Sequence, residues 1–152
     1  MTTIVYRDGV MAADSGSWYG SAVHPWTRKV ARGPDGSLYG AAGNAAECAA
    51  FMGWVDGGCL DAPPKAREIG PDDEARSSFT VLVAAPDGPL LLLTARGSEV
   101  YPGAPYMAIG AGAETAFGAL YMGATAEQAI EATIMHGNGA VGPVQSVGRV
   151  GP

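Results

Sequence analysis

The sequence predicts an α+β fold in which two mostly antiparallel sheets stack on each other and helices cover both of them. The predicted elements are grouped, as strands, a helix, strands, two helices and a strand, and this order argues against an alternating parallel sheet. Residues 78–85 (SFTVLVAA) and 90–95 (LLLLTA) flank a Pro-Asp-Gly-Pro turn. Their unbroken apolar runs predict a hairpin that is buried on both faces.

The first half of the chain begins with a predicted hairpin of residues 2–6 and 10–13 around the turn Arg7-Asp8-Gly9. Residues 15–28 have no periodicity, and we expect a loop held down by its aromatic side chains. Two short strands, 29–32 and 37–42, follow. Asn44 is a good helix cap, and an apolar stripe at helical spacing predicts a helix that ends at two glycines. The stripe consists of Cys48, Phe51, Met52 and Val55.

The second half opens with a polar segment, 59–77, which we interpret as a surface excursion with at most a helical turn. After the apolar hairpin, short strands are predicted at 99–101 and 106–109. Thr125 and Gln128 have the spacing of a capping box. Residues 144–150 are predicted to form a closing strand. The helices between these strands have two predicted apolar stripes: Ala113, Ala116, Phe117 and Leu120, then Ala126, Ala129, Ile130, Thr133 and Ile134.

Length and composition limit the classes of function. We expect residues 1–152 to form one domain. The net charge is −6, so a nucleic-acid partner is not expected. Only 16% of the residues are charged, and we interpret this low fraction as a sign that part of the surface is buried between copies of the chain. No apolar run is long enough for a membrane span, and no secretion signal is recognisable. Cys48 and Cys59 lack metal-ligand spacing, and we expect free thiols and a cytoplasmic location.

Thr2 is the first candidate for chemistry. If Met1 is removed, Thr2 carries both a hydroxyl nucleophile and a free α-amine that can act as its base. An α-amine has a reference pKa of roughly 7.7–8.0, so part of it is unprotonated at neutral pH. The ordinary alternative is that Thr-Thr-Ile-Val is simply the start of a β-strand.

Three further positions are candidates because of where they stand relative to predicted elements. Asp14 ends the second strand, where it could carry a functional carboxylate or simply begin an Asx turn. Lys29 begins the next strand, as a functional cation or as an exposed strand-edge lysine. Gly43 lies between a strand and a helix, where a backbone N–H can stabilise an oxyanion or a glycine can merely allow a tight turn.

Together, these segments resemble the proteasome β-subunit and bacterial HslV peptidase family, which are N-terminal-nucleophile (Ntn) hydrolases. The resemblance runs from Thr2 to about Val147 and depends on the order and spacing of several motifs. It looks most like the small bacterial or phage-encoded members. The motifs are TTIVYRDGVMAAD, RKV, AAGNAAE and a late AIGAG before an Ala-rich helix.

The resemblance implies a four-layer αββα sandwich and rings of subunits around a chamber. It implies that Thr2 is the nucleophile and that Asp14 orients and charge-balances Lys29. Lys29 would lower the cost of deprotonating the Thr2 hydroxyl, and Gly43 would donate its N–H to the oxyanion. Ala41 would help to form the floor of the substrate side-chain pocket.

Two positions depart from the family pattern. The family usually has a serine in the turn where this chain has Ala111, and that hydroxyl helps the N-terminal amine to relay a proton. An aspartate after the last helix aligns with Asn138, which can form hydrogen bonds but carries no charge. Both departures remove a group that supports catalysis in the family, so they argue against activity. Ser15 and Ser146 are the candidates to compensate for the lost hydroxyl.

Three hypotheses about function follow. The first is a threonine endopeptidase subunit of a homo-oligomeric ring or cage that cleaves peptides or unfolded proteins. The second is a catalytically inactive structural or assembly subunit, and the third is an Ntn amidohydrolase acting on small amides. No metal or cofactor is expected in any of them. An ATP-dependent unfoldase that delivers substrates would be compatible with the first, but the sequence does not identify one.

Overall fold

The four-layer fold is built from two groups of strands, an intervening helix and a pair of helices near the end of the chain. The structure is a computed structural model, and it describes residues 1–137 and 139–148. Strands before the first helix are β1 (Thr3–Arg7), β2 (Val10–Ala13), β3 (Ser17–Tyr19), β4 (Ala22–His24), β5 (Val30–Arg32) and β6 (Leu38–Gly43). The helices are α1 (Ala45–Asp56), α2 (Ala113–Tyr121) and α3 (Ala126–His136). The later strands are β7 (Glu68–Ile69), β8 (Arg76–Ser77), β9 (Phe79–Ala84), β10 (Leu90–Thr94), β11 (Gly97–Tyr101), β12 (Tyr106–Gly110) and β13 (Gln145–Gly148).

The N-terminal strand lies inside a four-stranded sheet of order β12-β1-β2-β13, in which all neighbours are antiparallel. Thr3 pairs with Gly110 on one side of β1, and Ile4 pairs with Ala13 on the other. The start of the chain is therefore held between two strands and aligned with the end of β12.

A second sheet has five strands in the order β11-β10-β9-β6-β5, again with antiparallel neighbours. Side chains alternate between its two faces. Leu82 of β9 points into the core between the sheets, whereas Val81 and Val83 pack against α1. The prediction of two-sided burial is confirmed for β9, while Leu91 and Leu93 of β10 are only partly buried.

Three apolar clusters separate the layers. One fills the space between the sheets, with Ile4 and Met11 from the first and Leu38 from the second. Another lies between the four-stranded sheet and helices α2 and α3, and a third lies between the five-stranded sheet and α1. The predicted αββα arrangement is confirmed.

The helix ends follow the predicted local signals. The Asn44 side chain accepts a hydrogen bond from the Glu47 N–H at 3.0 Å, which caps α1. Thr125 and Gln128 form the reciprocal capping box of α3. In the residues that the structure describes, no helix is long and apolar enough to cross a membrane.

Three details of the structure differ from the element prediction. The segment 15–28 is not a plain loop, because it contains the antiparallel hairpin of β3 and β4. Its aromatic side chains are exposed, although Trp18 is tied to the Gly139 carbonyl. The excursion 59–77 carries the short pair β7 and β8 and no helical turn. Phe117 is 38% exposed, because Ala116 and Leu120 are the α2 residues that face the sheet.

Candidate active site

The centre of the candidate site is a buried ion pair between one residue from each sheet's strand ends. Lys29 precedes β5, Asp14 follows β2, and the Lys29 Nζ lies 3.0 Å from the Asp14 Oδ1. The lysine side chain is 3% exposed and the carboxylate is fully buried. Lys29 is therefore not an exposed strand-edge lysine, and the two residues hold opposite charges together away from water.

The Asp14 carboxylate also accepts three backbone hydrogen bonds. Oδ1 accepts one from the Thr3 N–H at 3.0 Å, and Oδ2 accepts one each from the N–H groups of Gly16 at 3.3 Å and Val141 at 3.2 Å. The bond from Gly16, two residues on, has the spacing of an Asx turn. The Asp14 side chain therefore starts the loop, as the Asx-turn interpretation predicts, and also pairs with Lys29, while its functional role remains a prediction.

Lys29 reaches the peptide bond before Thr2. Its Nζ donates a hydrogen bond to the carbonyl oxygen of Met1 at 3.3 Å. Burial lowers the pKa of Lys29 below its ordinary value, and the neighbouring Asp14 charge opposes this effect without cancelling it. A cation held at this point would stabilise negative charge that develops near Thr2.

The Thr2 backbone is fixed by the turn after β12. The Ala111 N–H donates to the Thr2 carbonyl oxygen at 2.8 Å, and the Gly112 N–H donates to the Thr3 hydroxyl at 2.9 Å. Gly110 has a φ of +96°, and a Cβ there would overlap the Thr2 carbonyl. Glycine at position 110 thus allows the strand to approach closely enough to hold Thr2 in place.

Thr2, Lys29, Ala41 and Gly43 line one cleft of about 770 Å³. Ala41 is almost fully buried in its floor. Gly43 has a φ of +128°, and a Cβ there would lie 2.6 Å from the Phe79 Cα, so sterics alone require glycine. The need for a tight turn is therefore enough to explain why residue 43 is glycine. Its role as a hydrogen-bond donor to the oxyanion remains a prediction.

Gln145 is an element of the site that sequence reasoning missed. Its Nε2 donates to the Asp14 carbonyl at 3.0 Å and to the Thr27 carbonyl at 2.7 Å, and its Oε1 accepts from the Lys29 N–H at 2.9 Å. One side chain thus joins the backbones that carry both members of the ion pair. Position 145 has no local signal in the sequence, because its partners lie more than 115 residues away along the chain.

The two departures from the family pattern have different outcomes. Ala111 lies in a second opening beside Thr2, of about 280 Å³, so its missing hydroxyl falls at the site. Asn138 lies outside the described residues. The Ser15 hydroxyl donates to the Pro143 carbonyl at 2.6 Å, and the Ser146 hydroxyl contacts Glu127 at 3.5 Å. Both serines therefore have partners other than Thr2.

The layer order and strand topology define this chain as having the Ntn-hydrolase fold of proteasome-like subunits. It is similar to BPH from Thiobacillus denitrificans, solved in complex with epoxomicin, with a TM-score of 0.68, 22% identity and coverage of 96% of both chains. It is also similar to HslV from Trypanosoma brucei, with a TM-score of 0.60, 15% identity and coverage of 97% of this chain and 99% of that one.

A third similar structure is Anbu, described as an ancestral beta-subunit, from Yersinia bercovieri. Its TM-score is 0.63 at 14% identity, and the match covers 97% of this chain and 80% of that one. At these identities the likeness establishes the fold. No protein-family model matches the chain, and a search of curated proteins finds no similar sequence.

Proposed function

We propose that this chain is a threonine peptidase that uses Thr2 as its nucleophile once Met1 has been removed. The observation that carries the proposal is the buried Lys29–Asp14 pair, whose ammonium group lies 3.3 Å from the Met1 carbonyl oxygen. A buried lysine is costly, and it is placed beside the bond whose cleavage would make Thr2 the N-terminal residue. The Ntn-hydrolase fold supports the same function.

The proposed reaction begins with the free α-amine of Thr2, which takes the hydroxyl proton through a water molecule. The hydroxyl oxygen attacks the substrate carbonyl, and the Gly43 N–H stabilises the oxyanion. Lys29 lowers the cost of the negative charge on the Thr2 oxygen, and Asp14 keeps Lys29 oriented. The peptide C–N bond then breaks, the leaving amine takes the proton, and water hydrolyses the ester to regenerate Thr2.

The proposal includes assembly of the chain with copies of itself into a ring or stacked rings. It is supported by the low charged fraction of 16% and by large apolar side chains exposed at the ends of α2 and α3, Met122 at 82% and Met135 at 74%. The substrates would be peptides or unfolded proteins that enter the chamber. The free thiols of Cys48 and Cys59 support a reducing, cytoplasmic location.

A second candidate is a catalytically inactive subunit with the same fold. Ala111 favours it, because the hydroxyl expected beside the Thr2 amine is missing. If the chain is a peptidase, substitution of Thr2 or Lys29 impairs cleavage. If it is an inactive subunit, neither substitution changes its behaviour.

The test compares hydrolysis of peptides and of an unfolded protein by the wild type, Thr2→Ala and Thr2→Ser. We expect all three to fold and assemble alike, Thr2→Ala to lose cleavage, and Thr2→Ser to retain part of it. Cleavage by Thr2→Ala at the wild-type rate would reject Thr2 as nucleophile. A wild type that lacks Met1 and cleaves nothing would favour the inactive subunit.

A further inference from the structure

Three aromatic side chains on and beside the β3–β4 hairpin are unusually exposed. Trp18 is 44% exposed, Tyr19 87% and Trp26 82%. Large aromatic side chains normally contribute to a core or an interface, because removing them from water is strongly favourable. A group of them on the rim of one cleft therefore indicates a surface that binds something.

The two tryptophans are held in place without a ligand. The Trp18 Nε1–H donates to the Gly139 carbonyl at 3.3 Å, and Trp26 stacks on His24 with ring centroids 5.7 Å apart and planes 14° apart. The Thr27 hydroxyl donates to the Ser17 hydroxyl at 2.6 Å and ties the base of the hairpin together. A surface that is ordered in advance loses little conformational entropy when it binds.

The aromatic group lines the same cleft as Thr2. On the α1 side, the cleft is lined by Ala45, Ala49 and Gly53, which recur every fourth position and carry no group larger than a methyl, together with Cys48, Met52 and Asp56. The volume of about 770 Å³ is in the range of sites that enclose a ligand much larger than one side chain. The cleft therefore has room for a chain segment that extends from Thr2 to the hairpin.

The lysine and arginine charges in the cleft are paired within the protein. Arg28 and Lys29 line it, and each contacts a carboxylate, Asp56 in the first case and Asp14 in the second. Apart from His24 and the α-amine at the start of the chain, the described lining otherwise offers aromatic faces, methyl groups and uncharged polar groups, which favours apolar side chains over acidic or basic ones.

We propose that Trp18, Tyr19 and Trp26 form a binding surface for aromatic and large aliphatic side chains of an extended, unfolded polypeptide. These substrate side chains lie away from the bond that is cleaved, whereas the residue at that bond occupies the pocket above Ala41. Such side chains are buried in folded proteins. The surface therefore selects unfolded chains with exposed apolar segments. This inference rests on the proposed function, and it names the substrate class of the same site.

The kinetic test uses two peptides that are identical around the scissile bond and differ by a Trp or a Ser several residues away. We expect the wild type to have a KM roughly tenfold lower for the Trp peptide, since a large apolar side chain is removed from water. Tyr19→Ser and Trp26→Ser should lose this preference, so that the two peptides have similar KM values. Leu60→Ser is the matched control, because Leu60 is 70% exposed and does not line the cleft.

A binding test separates this proposal from the peptidase proposal. Fluorescence anisotropy measures the affinity of the same two labelled peptides for Thr2→Ala, and for its double variants with Tyr19→Ser and with Trp26→Ser. A Trp preference that disappears in the double variants supports the surface even if the wild type cleaves nothing. Equal affinity for both peptides overturns it, and so does a change of oligomeric state in Trp26→Ser with the preference intact.

Discussion

The Nζ of Lys29 lies 3.0 Å from the Oδ1 of Asp14, and both side chains are almost completely removed from water. Such a pair is costly to desolvate, and apolar residues of similar volume would fill the space at least as well. Under the proposed function, its position beside the Met1 carbonyl gives a reason for retaining it.

Breaking this pair from one side should be strongly destabilising. Lys29→Met leaves a buried carboxylate without its cation, and Asp14→Asn leaves a buried cation, so each should lower the free energy of unfolding by about 3–5 kcal/mol. The double variant should lose less than the sum of the two. Urea unfolding of the four proteins measures this coupling.

The control for that experiment is an exposed ion pair, Arg96 with Glu68, whose side chains are 65% and 52% exposed. Arg96→Met should cost no more than about 1 kcal/mol. Additive effects of Asp14→Asn and Lys29→Met would show that the buried contact contributes no coupling.

The depressed pKa of Lys29 has opposite consequences for stability and for activity. The folded protein releases this proton at a lower pH than the unfolded chain, whose lysine has its ordinary pKa of 10.5. The contribution of Lys29 to stability therefore rises with pH between the lowered pKa and 10.5.

In contrast, kcat should decrease as the pH rises through the lowered pKa of Lys29, because the neutral amine no longer stabilises negative charge at Thr2. The measurement is kcat from pH 6 to 11, with circular dichroism recorded at each pH. We expect an alkaline loss of kcat while the fold is intact. A kcat that declines only together with the fold would contradict the role assigned to Lys29.

Gln145 should act as a positioning residue for the pair. In Gln145→Glu, a carboxylate would face the carbonyl oxygens of Asp14 and Thr27, to which the amide now donates. Protonation of that carboxylate would restore a donor. The variant should therefore have a reduced kcat at neutral pH that recovers relative to wild type as the pH falls, with little change in KM.

Two comparisons make this test specific. Gln145→Leu cannot regain a donor, so its kcat should stay low at every pH. Ser146→Ala changes the next residue, whose hydroxyl contacts Glu127 instead, and it should behave as wild type. If Gln145→Glu and Gln145→Leu have parallel pH profiles, the positioning role is wrong.

Ala111→Ser should increase activity. Ala111 is exposed in the opening next to Thr2, and its N–H already holds the Thr2 carbonyl, so a hydroxyl fits without repacking. It would give the Thr2 amine a partner for proton transfer. The expected result is a several-fold higher kcat with a free energy of unfolding changed by less than about 0.5 kcal/mol. An unchanged kcat would mean that another group already performs this transfer.

Much of the fold could be predicted from local patterns. Alternating and unbroken apolar runs located the strands of both sheets, and caps at Asn44 and Thr125 fixed two helix starts. The hairpin β3–β4 was missed because its side chains are exposed on both faces, so neither strand has a periodicity to detect.

The site could be predicted only in part. Asp14 and Lys29 stand at strand ends, and the structure brings them together. Gln145 and the donors from Gly16 and Val141 act through tertiary contacts that no motif records. The catalytic roles of Thr2, Asp14, Lys29 and Gly43 remain predictions.

The most direct measurement is the intact mass of the protein after incubation with a peptide epoxyketone, a reagent that needs both the hydroxyl and the free amine of an N-terminal threonine. We predict a wild-type mass that lacks Met1 and carries one adduct, and no adduct on Thr2→Ala. A wild-type mass that retains Met1, or lacks it and carries no adduct, would contradict the account of Thr2 as a working nucleophile.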